Sequence, residues 1–150
     1  MDPLSVAASV IAVLQLTNEV IRYLLDVKDA PKECQQCTIE ASNLQNLLTN
    51  LHYRLRDATT NDPWYDALKA LNDKDGPFDQ YGQALEQLLS RVTIQDGLQK
   101  IGKQLLWKFK KAEVASILAR MERLKSLVGI ALEMDHLYVQ QSWLDEGSYL

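Results

Sequence analysis

Two cysteines separated by two residues, Cys34 and Cys37, are the first residues in this sequence whose spacing could support chemistry. The same spacing occurs in zinc sites and in thioredoxin-like redox centres. Zinc needs four ligands, however, and the two histidines, His52 and His136, are remote in the sequence, with no second cysteine pair. Both cysteines also fall at apolar positions of a predicted helix, where free cysteine behaves as a small hydrophobic residue. We therefore predict two core thiols in a reducing compartment, and no metal site.

The rest of the sequence contains no recognisable catalytic set. The phosphate-binding motif G-x-x-x-x-G-K-[ST] is absent, and no βαβ pattern is present. Asp73 and Asp75 form a pair of carboxylates, but they lie in a predicted loop, where such residues are typical of solvated turns. We predict that the chain is not an enzyme and that it needs no cofactor.

A lysine-rich segment interrupts an otherwise acidic protein. The net charge is −4, whereas residues 91–125 sum to +6, with nine bases and three acids. On a predicted helix, one side of this segment carries lysines with a tryptophan among them, namely Lys100, Lys103, Trp107, Lys110 and Lys111. This combination suits the headgroup region of an anionic membrane. The alternative is a solvated face whose Trp107 packs under a neighbouring helix. Nucleic acid is a poorer partner, because the whole chain is acidic.

The first helix is a second candidate for contact with a membrane, because residues 3–18 carry no charge. A signal peptide needs a basic segment before its apolar core, and here only Asp2 precedes it. Sixteen uncharged residues also fall short of the roughly 20 that span a bilayer. The pattern therefore predicts a core helix surrounded by its neighbours and held in place by burial of Val10, Ile11 and Leu14. The alternative is that this helix leaves the bundle and enters lipid, because its second face, which includes Ser5, Ser9, Ala8, Ala12 and Gln15, is weakly polar and has no charge before Glu19.

Helical spacing continues through most of the chain and predicts an all-α bundle of five to six helices. We expect helices over residues 4–27, 32–58, 63–71, 78–92, 98–109 and 113–141, with a break at Asp96 and Gly97. The first and the last are long. Apolar residues at three- and four-residue intervals give the helices predicted buried seams. These include the seam from Cys34 through Leu55 to Ala58, the seam from Val114 to Val128, and the inward residues Trp64, Leu68 and Leu71. Residues 1–142 form the predicted domain, and residues 143–150 resemble a linker or a truncated end.

Four stretches, in order, carry a resemblance to a known family. They are DPLSVAASVIAVLQL, DVKDAPKE, IEASNLQNLLTNLHYRL and LARMERLKSLVGIALEMDH. Together they resemble the HeLo-like N-terminal domain of fungal STAND (NLR-type) receptors over residues 2–140. The resemblance implies an effector domain that precedes a NACHT or NB-ARC module and acts in innate immunity or heterokaryon incompatibility.

The resemblance also implies a mechanism. It implies that the domain is cytoplasmic at rest, self-associates on activation and permeabilises the plasma membrane in programmed cell death. The N-terminal hydrophobic helix is the inserting element, which in this chain comprises Leu4, Val6, Val10, Ile11, Val13, Leu14 and Leu16. The assignment of the lysine face as a binding site for anionic lipid rests on the residue pattern alone and not on the resemblance. The alternative function is an adaptor domain that recruits a separate effector without touching lipid.

Overall fold

The computed structural model describes residues 3–56, 63–98, 107 and 109–147, which form an all-α bundle. This confirms the predicted fold class. The five helices in this part of the chain are α1 (Pro3–Leu25), α2 (Lys32–Leu55), α3 (Pro63–Leu71), α4 (Pro77–Leu98) and α5 (Lys111–Gly147). The long N-terminal and C-terminal helices are present as predicted.

Ion pairs between α2 and α5 show that these two helices run in the same direction. Lys125 on α5 binds Glu40 on α2 at 2.9 Å, and further along both helices Asp135 lies 3.5 Å from Arg54. The 37 residues of α5 extend about 55 Å, whereas the 24 residues of α2 extend about 36 Å. The C-terminal part of α5 therefore projects beyond the end of α2.

The other two long helices run in the opposite direction. On α4 and α5, Arg91 pairs with Glu113, and the earlier Gln80 contacts the later Arg123, so α4 is antiparallel to α5. A short connection, residues 26–31, makes α1 antiparallel to α2. It follows that α1 and α4 are parallel, and that both end where α5 begins.

The buried seams of the bundle follow the predicted spacing. The α2 seam from Cys34 to Leu55 is confirmed, as is the α5 seam from Val114 to Val128, whereas Ala58 lies outside the described residues. Trp64, Leu68 and Leu71 of α3 also face inward, as predicted. Side chains at intervals of three and four residues return to one side of a helix, so each seam packs against its neighbours along its whole length.

Local backbone chemistry explains where the helices stop and start. Asp29, after α1, has a φ angle of 50°, and Asp75, before α4, has a φ angle of 59°. Aspartate tolerates this left-handed conformation better than most residues. At Gly76 an added Cβ would lie 2.8 Å from the Asp73 carbonyl oxygen, so the turn requires glycine. At the start of α5, the Glu113 carboxylate accepts the Lys110 N–H at 3.2 Å, which is half of a capping box.

Several predicted boundaries differ from the structure, and α1 and α2 end two or three residues earlier than predicted. Helix α4 continues through Asp96 and Gly97 to Leu98, where we predicted a break. A single glycine costs a helix only about 1 kcal/mol relative to alanine. The predicted helix over residues 98–109 is not present at its C-terminal end, because Trp107 and Phe109 are non-helical; residues 99–106 and 108 lie outside the described part. Finally, α5 runs to Gly147, so residues 143–147 belong to this helix.

Candidate functional site

Helix α1 lies at the surface of the bundle, not at its centre. It packs mainly on α2 and α4, and only 28% of its most apolar window is buried. Ala8, Ile11, Ala12 and Gln15 are exposed, and the first charge along the helix is Glu19. The prediction that neighbours surround this helix was therefore wrong, because α1 exposes an uncharged surface through its first turns.

The residues predicted to insert into lipid have different environments. Val6, Val10 and Val13 are buried, Leu14 and Leu16 are half-buried, and the Leu4 side chain lies outside the described part. Ile11, which we expected to help anchor the helix, is 38% exposed. The buried seam instead continues through Thr17, Val20 and Leu24 at three- and four-residue intervals. The weakly polar face is exposed at Ala8, Ala12 and Gln15, but Ser9 is half-buried.

The length and composition of α1 would allow it to cross a membrane. The segment Val6–Leu25 has 20 residues and a mean hydropathy of 1.3. This exceeds the 16 uncharged residues considered from sequence, because one or two charges near the end are tolerated. Core helices of soluble proteins and signal sequences meet the same criteria. The length therefore permits insertion and does not by itself identify it.

A buried pair of hydroxyl groups fastens α1 to α4. Thr17 Oγ1 donates to the Val13 carbonyl oxygen at 2.7 Å and lies 2.6 Å from the Tyr81 hydroxyl. Because the single hydroxyl hydrogen of Thr17 is already donated to Val13, the Tyr81 hydroxyl must be the donor between the two side chains. Burial raises the pKa of Tyr81 well above its usual range, so it remains a donor at physiological pH.

Two weaker contacts fasten α1 to α2. The Gln45 side-chain amide donates to Asn18 Oδ1 at 2.6 Å on the surface. The Cys34 thiol lies 3.8 Å from the Leu24 carbonyl oxygen, at the last turn of α1. Cys34 is therefore covered by α1, and departure of this helix would expose it.

We predict that the Thr17–Tyr81 pair shows strong thermodynamic coupling. Thr17→Val leaves the buried Tyr81 hydroxyl without an acceptor and should lower the free energy of unfolding by about 1–3 kcal/mol. In the double variant Thr17→Val/Tyr81→Phe the unpaired hydroxyl is also absent, so the loss should be smaller than the sum of the single losses. Urea unfolding of the four proteins checks this. Additive losses would contradict a direct hydrogen bond.

The end of the bundle where α5 begins carries the described part of the predicted lysine face. Lys110 and Lys111 are exposed there, whereas Lys100 and Lys103 lie outside the described residues. We call this region the lysine end, defined by Lys110 and Lys111. The N-terminus of α5 adds the positive end of its helix dipole to these two charges.

Trp107 lies in non-helical backbone, so the predicted helix does not place it beside Lys110 and Lys111. It is half-buried, packs against the core, and its ring lies 4.7 Å from that of Phe109. The Arg91 guanidinium lies 5.1 Å from the Phe109 ring centre and 2.8 Å from Glu113. The tryptophan is thus part of a packed cluster at the base of the lysine end, which agrees with the alternative weighed from sequence.

The two cysteines are buried thiols in the α2 seam, with no exposed surface. Burial raises the pKa of Cys34 to about 11 and that of Cys37 to about 12, so both are protonated at neutral pH. His52 is 15 residues beyond Cys37 on the same helix, about 22 Å away. Within the described ranges, no group of three or more His, Cys, Asp or Glu residues could hold a metal ion.

We predict that these thiols make folding sensitive to alkaline pH. Both pKa values are raised above the ordinary 9.0, so the neutral thiols stabilise the fold fully below pH 9. This contribution is lost as the pH rises from 9 through about 11 for Cys34 and through about 12 for Cys37. In the variant Cys34→Ala/Cys37→Ala, the free energy of unfolding at pH 7 should be about 1–3 kcal/mol lower than in the wild-type protein. Between pH 8 and 10.5, however, the free energy of unfolding should fall less in the variant than in the wild-type protein. Urea midpoints at both pH values test this, and equal additional losses would contradict it.

Apolar residues on the projecting part of α5 are a feature that we did not identify from sequence. Leu137, Trp143 and Leu144 are 58%, 74% and 72% exposed, and Ile130 and Met134 are exposed before them. Ile130, Met134, Leu137 and Leu144 fall on one side of the helix. Their spacing could have revealed a second apolar stripe beside the buried seam.

A partial phosphate-loop pattern occurs at Gly97, Gly102 and Lys103, but Gln104 replaces the required Ser or Thr, and Gly97 lies within α4. A phosphate loop follows a strand, whereas the described residues from Pro77 up to Gly97 are helical, so no strand directly precedes this pattern. A comparison of the chain with protein families, with curated proteins and with solved structures finds no significant match.

Proposed function

We propose that this bundle is a membrane-permeabilising effector domain of the HeLo-like type, acting in regulated cell death. The observation that supports the proposal most directly is the exposed, uncharged side of α1 from Ala8 to Gln15. A helix at a protein surface ordinarily carries charges on its solvent side. Here the first turns of α1 can transfer into lipid without burying a charged group.

The proposed transition begins with separation of α1 from α2 and α4. The contacts that must break are the Thr17–Tyr81 hydrogen bond, the Asn18–Gln45 hydrogen bond and the apolar seam. The connection at residues 26–31 lies at the same end of the bundle as the lysine end, because α1 ends where α5 begins. If Lys110 and Lys111 contact anionic headgroups, α1 can pivot about this connection close to the membrane surface.

A pore requires several copies of α1, and self-association of the domain would bring these copies together. Linking several copies raises the local concentration of released α1 helices without any new contact to lipid. In the full-length protein we propose that a NACHT or NB-ARC module provides this clustering, as in the receptors that the sequence resembles. The domain would then be cytoplasmic at rest and move to the plasma membrane when clustered.

Dye release from vesicles tests the proposal. Vesicles with 30% anionic lipid should leak when the protein is added in clustered form, fused to a tetramerising tag, and neutral vesicles should leak far less. In a Cys37→Ala variant, labelling of Cys34 by a thiol reagent should accelerate on anionic vesicles, because Cys34 is covered by α1 at rest. Vesicles that stay intact, with unchanged Cys34 labelling, would reject the proposal.

The apolar stripe on α5 favours a second candidate, an adaptor that binds a protein effector. The projecting segment exposes Leu137, Trp143 and Leu144, and an exposed apolar patch is typical of a protein-interaction site. An adaptor would use this stripe without releasing α1. The Cys34 labelling rate therefore distinguishes the two functions, because only the effector needs α1 to leave.

A further inference from the structure

An open groove lies between α1 and α4. Its volume is about 480 Å³, within the range of ligand pockets. Its floor is apolar and comes from both helices, comprising Ala12, Val13, Leu16, Phe78 and Gly82. A molecule in this groove would therefore touch α1 and α4 at the same time.

Gly82 keeps this groove open. It lies inside α4, where glycine costs about 1 kcal/mol relative to alanine. A Cβ added at Gly82 would meet nothing within 4 Å, so packing inside the chain does not require glycine here. Gly76 is different, because a Cβ there would collide with the backbone. The space above Gly82 is therefore not filled by any described part of the chain.

The rim of the groove is acidic. Glu19 on α1 and Asp79 and Glu86 on α4 line it, and no Lys or Arg occurs among the described residues that do so. Asp79 accepts the Asp75 N–H at 2.9 Å with one oxygen, which leaves its charge uncompensated by any base in the groove. An apolar floor between carboxylates suits a lysine or arginine side chain, whose aliphatic part covers the floor while its charge meets the rim.

We infer that this groove binds a basic amphipathic helix of a partner protein, with an apolar side chain seated over Gly82. The groove extends along α1 from Ala12 to Glu19, about 10 Å, which corresponds to two turns of a docked helix. Because both walls are needed, the partner binds only while α1 is docked. Binding therefore favours the closed bundle by mass action. The inference does not depend on lipid insertion.

The probe for this site is a fluorescein-labelled 14-residue helix of leucine and lysine, with lysines on one side. Its anisotropy should show saturable, salt-sensitive binding to the wild-type protein. Gly82→Leu should weaken binding at least tenfold, because the leucine side chain occupies the groove and its Cβ meets nothing within 4 Å. Gly129→Leu is the matched control, since a Cβ at Gly129 also meets nothing within 4 Å, and it should leave binding unchanged.

Charge neutralisation gives a second pair of variants. Glu19→Gln/Glu86→Gln should weaken binding about tenfold and reduce its salt dependence, whereas Asp73→Asn/Glu133→Gln, which removes two exposed acids elsewhere, should not. At ten times its dissociation constant, the peptide should also slow labelling of Cys34 in the Cys37→Ala variant about tenfold, because it retains α1.

Equal binding by the Gly82→Leu and Gly129→Leu proteins would overturn the inference and assign the peptide to non-specific attraction by an acidic protein. If the wild-type protein self-associates and Gly82→Leu abolishes this self-association, the occupant of the groove is a second copy of the chain. That result would also overturn the inference. If the peptide slows Cys34 labelling but the clustered protein releases no dye from vesicles, the binding groove is supported and the effector function is rejected.

Discussion

Ala8→Glu/Ala12→Glu should abolish dye release from anionic vesicles and leave the resting bundle folded. Both alanines are exposed on α1, so the substitution should change the free energy of unfolding only slightly. In lipid, a charged side chain near the centre of an inserted helix costs about 2.5–3.5 kcal/mol. Two such charges together cost about 5 kcal/mol, which reduces insertion more than a thousandfold.

The matched control is Ala115→Glu/Ala119→Glu on α5. It makes the same change of residue type, at the same four-residue spacing, at two exposed helix positions, with the same change in net charge. This control should release dye as wild type does, which separates insertion of α1 from general repulsion by anionic lipid. A folded Ala8→Glu/Ala12→Glu protein that releases dye normally would show that α1 does not enter the bilayer.

Reversal of the lysine face should abolish binding to anionic vesicles. Each lysine near such a surface contributes about 1 kcal/mol, so the fourfold variant Lys100→Glu/Lys103→Glu/Lys110→Glu/Lys111→Glu should lose on the order of a thousandfold or more in affinity. Circular dichroism should remain close to wild type, since the two described lysines, Lys110 and Lys111, are exposed and have solvent-facing side chains. Vesicle sedimentation at physiological salt measures the effect.

A pair of variants separates the lysine end from total charge. Lys110→Glu/Lys111→Glu and Arg56→Glu/Lys74→Glu lower the net charge equally, but the second pair lies at the opposite end of the bundle, at the close of α2 and the start of α4. Only the first pair should weaken vesicle binding strongly. Equal losses of vesicle affinity from both pairs would mean that vesicle binding depends on net charge and that the lysine end is a solvated surface.

The sequence by itself determined the seams of the bundle. In α2 and α5 apolar residues alternate with polar ones at helical spacing, so only one side of each helix could be buried, and Cys34 to Leu55 and Val114 to Val128 were predicted correctly. The turn before α4 was equally well specified, because Asp75, Gly76 and Pro77 are poor residues for a helix interior but suit a turn and a first helical turn.

The tertiary structure decided which side of α1 is buried. This helix is apolar on most of its circumference, so its periodicity does not distinguish the side with Ile11 from the side with Thr17. The Tyr81 hydroxyl on α4 resolves the ambiguity, because it pairs with Thr17 and turns that side inward. A contact between residues 64 positions apart leaves no trace in the local pattern of either helix.

Long-range packing also decided the two surfaces to which we assign binding. Trp107 was assigned to a lysine face by helical spacing, but its position depends on contact with Phe109 and the core. The groove over Gly82 exists because α1 and α4 lie side by side and bring Glu19 near Asp79 and Glu86. Sequence periodicity reports the side of a helix that avoids water, whereas a groove depends on which helices become neighbours, and packing of the whole chain determines that.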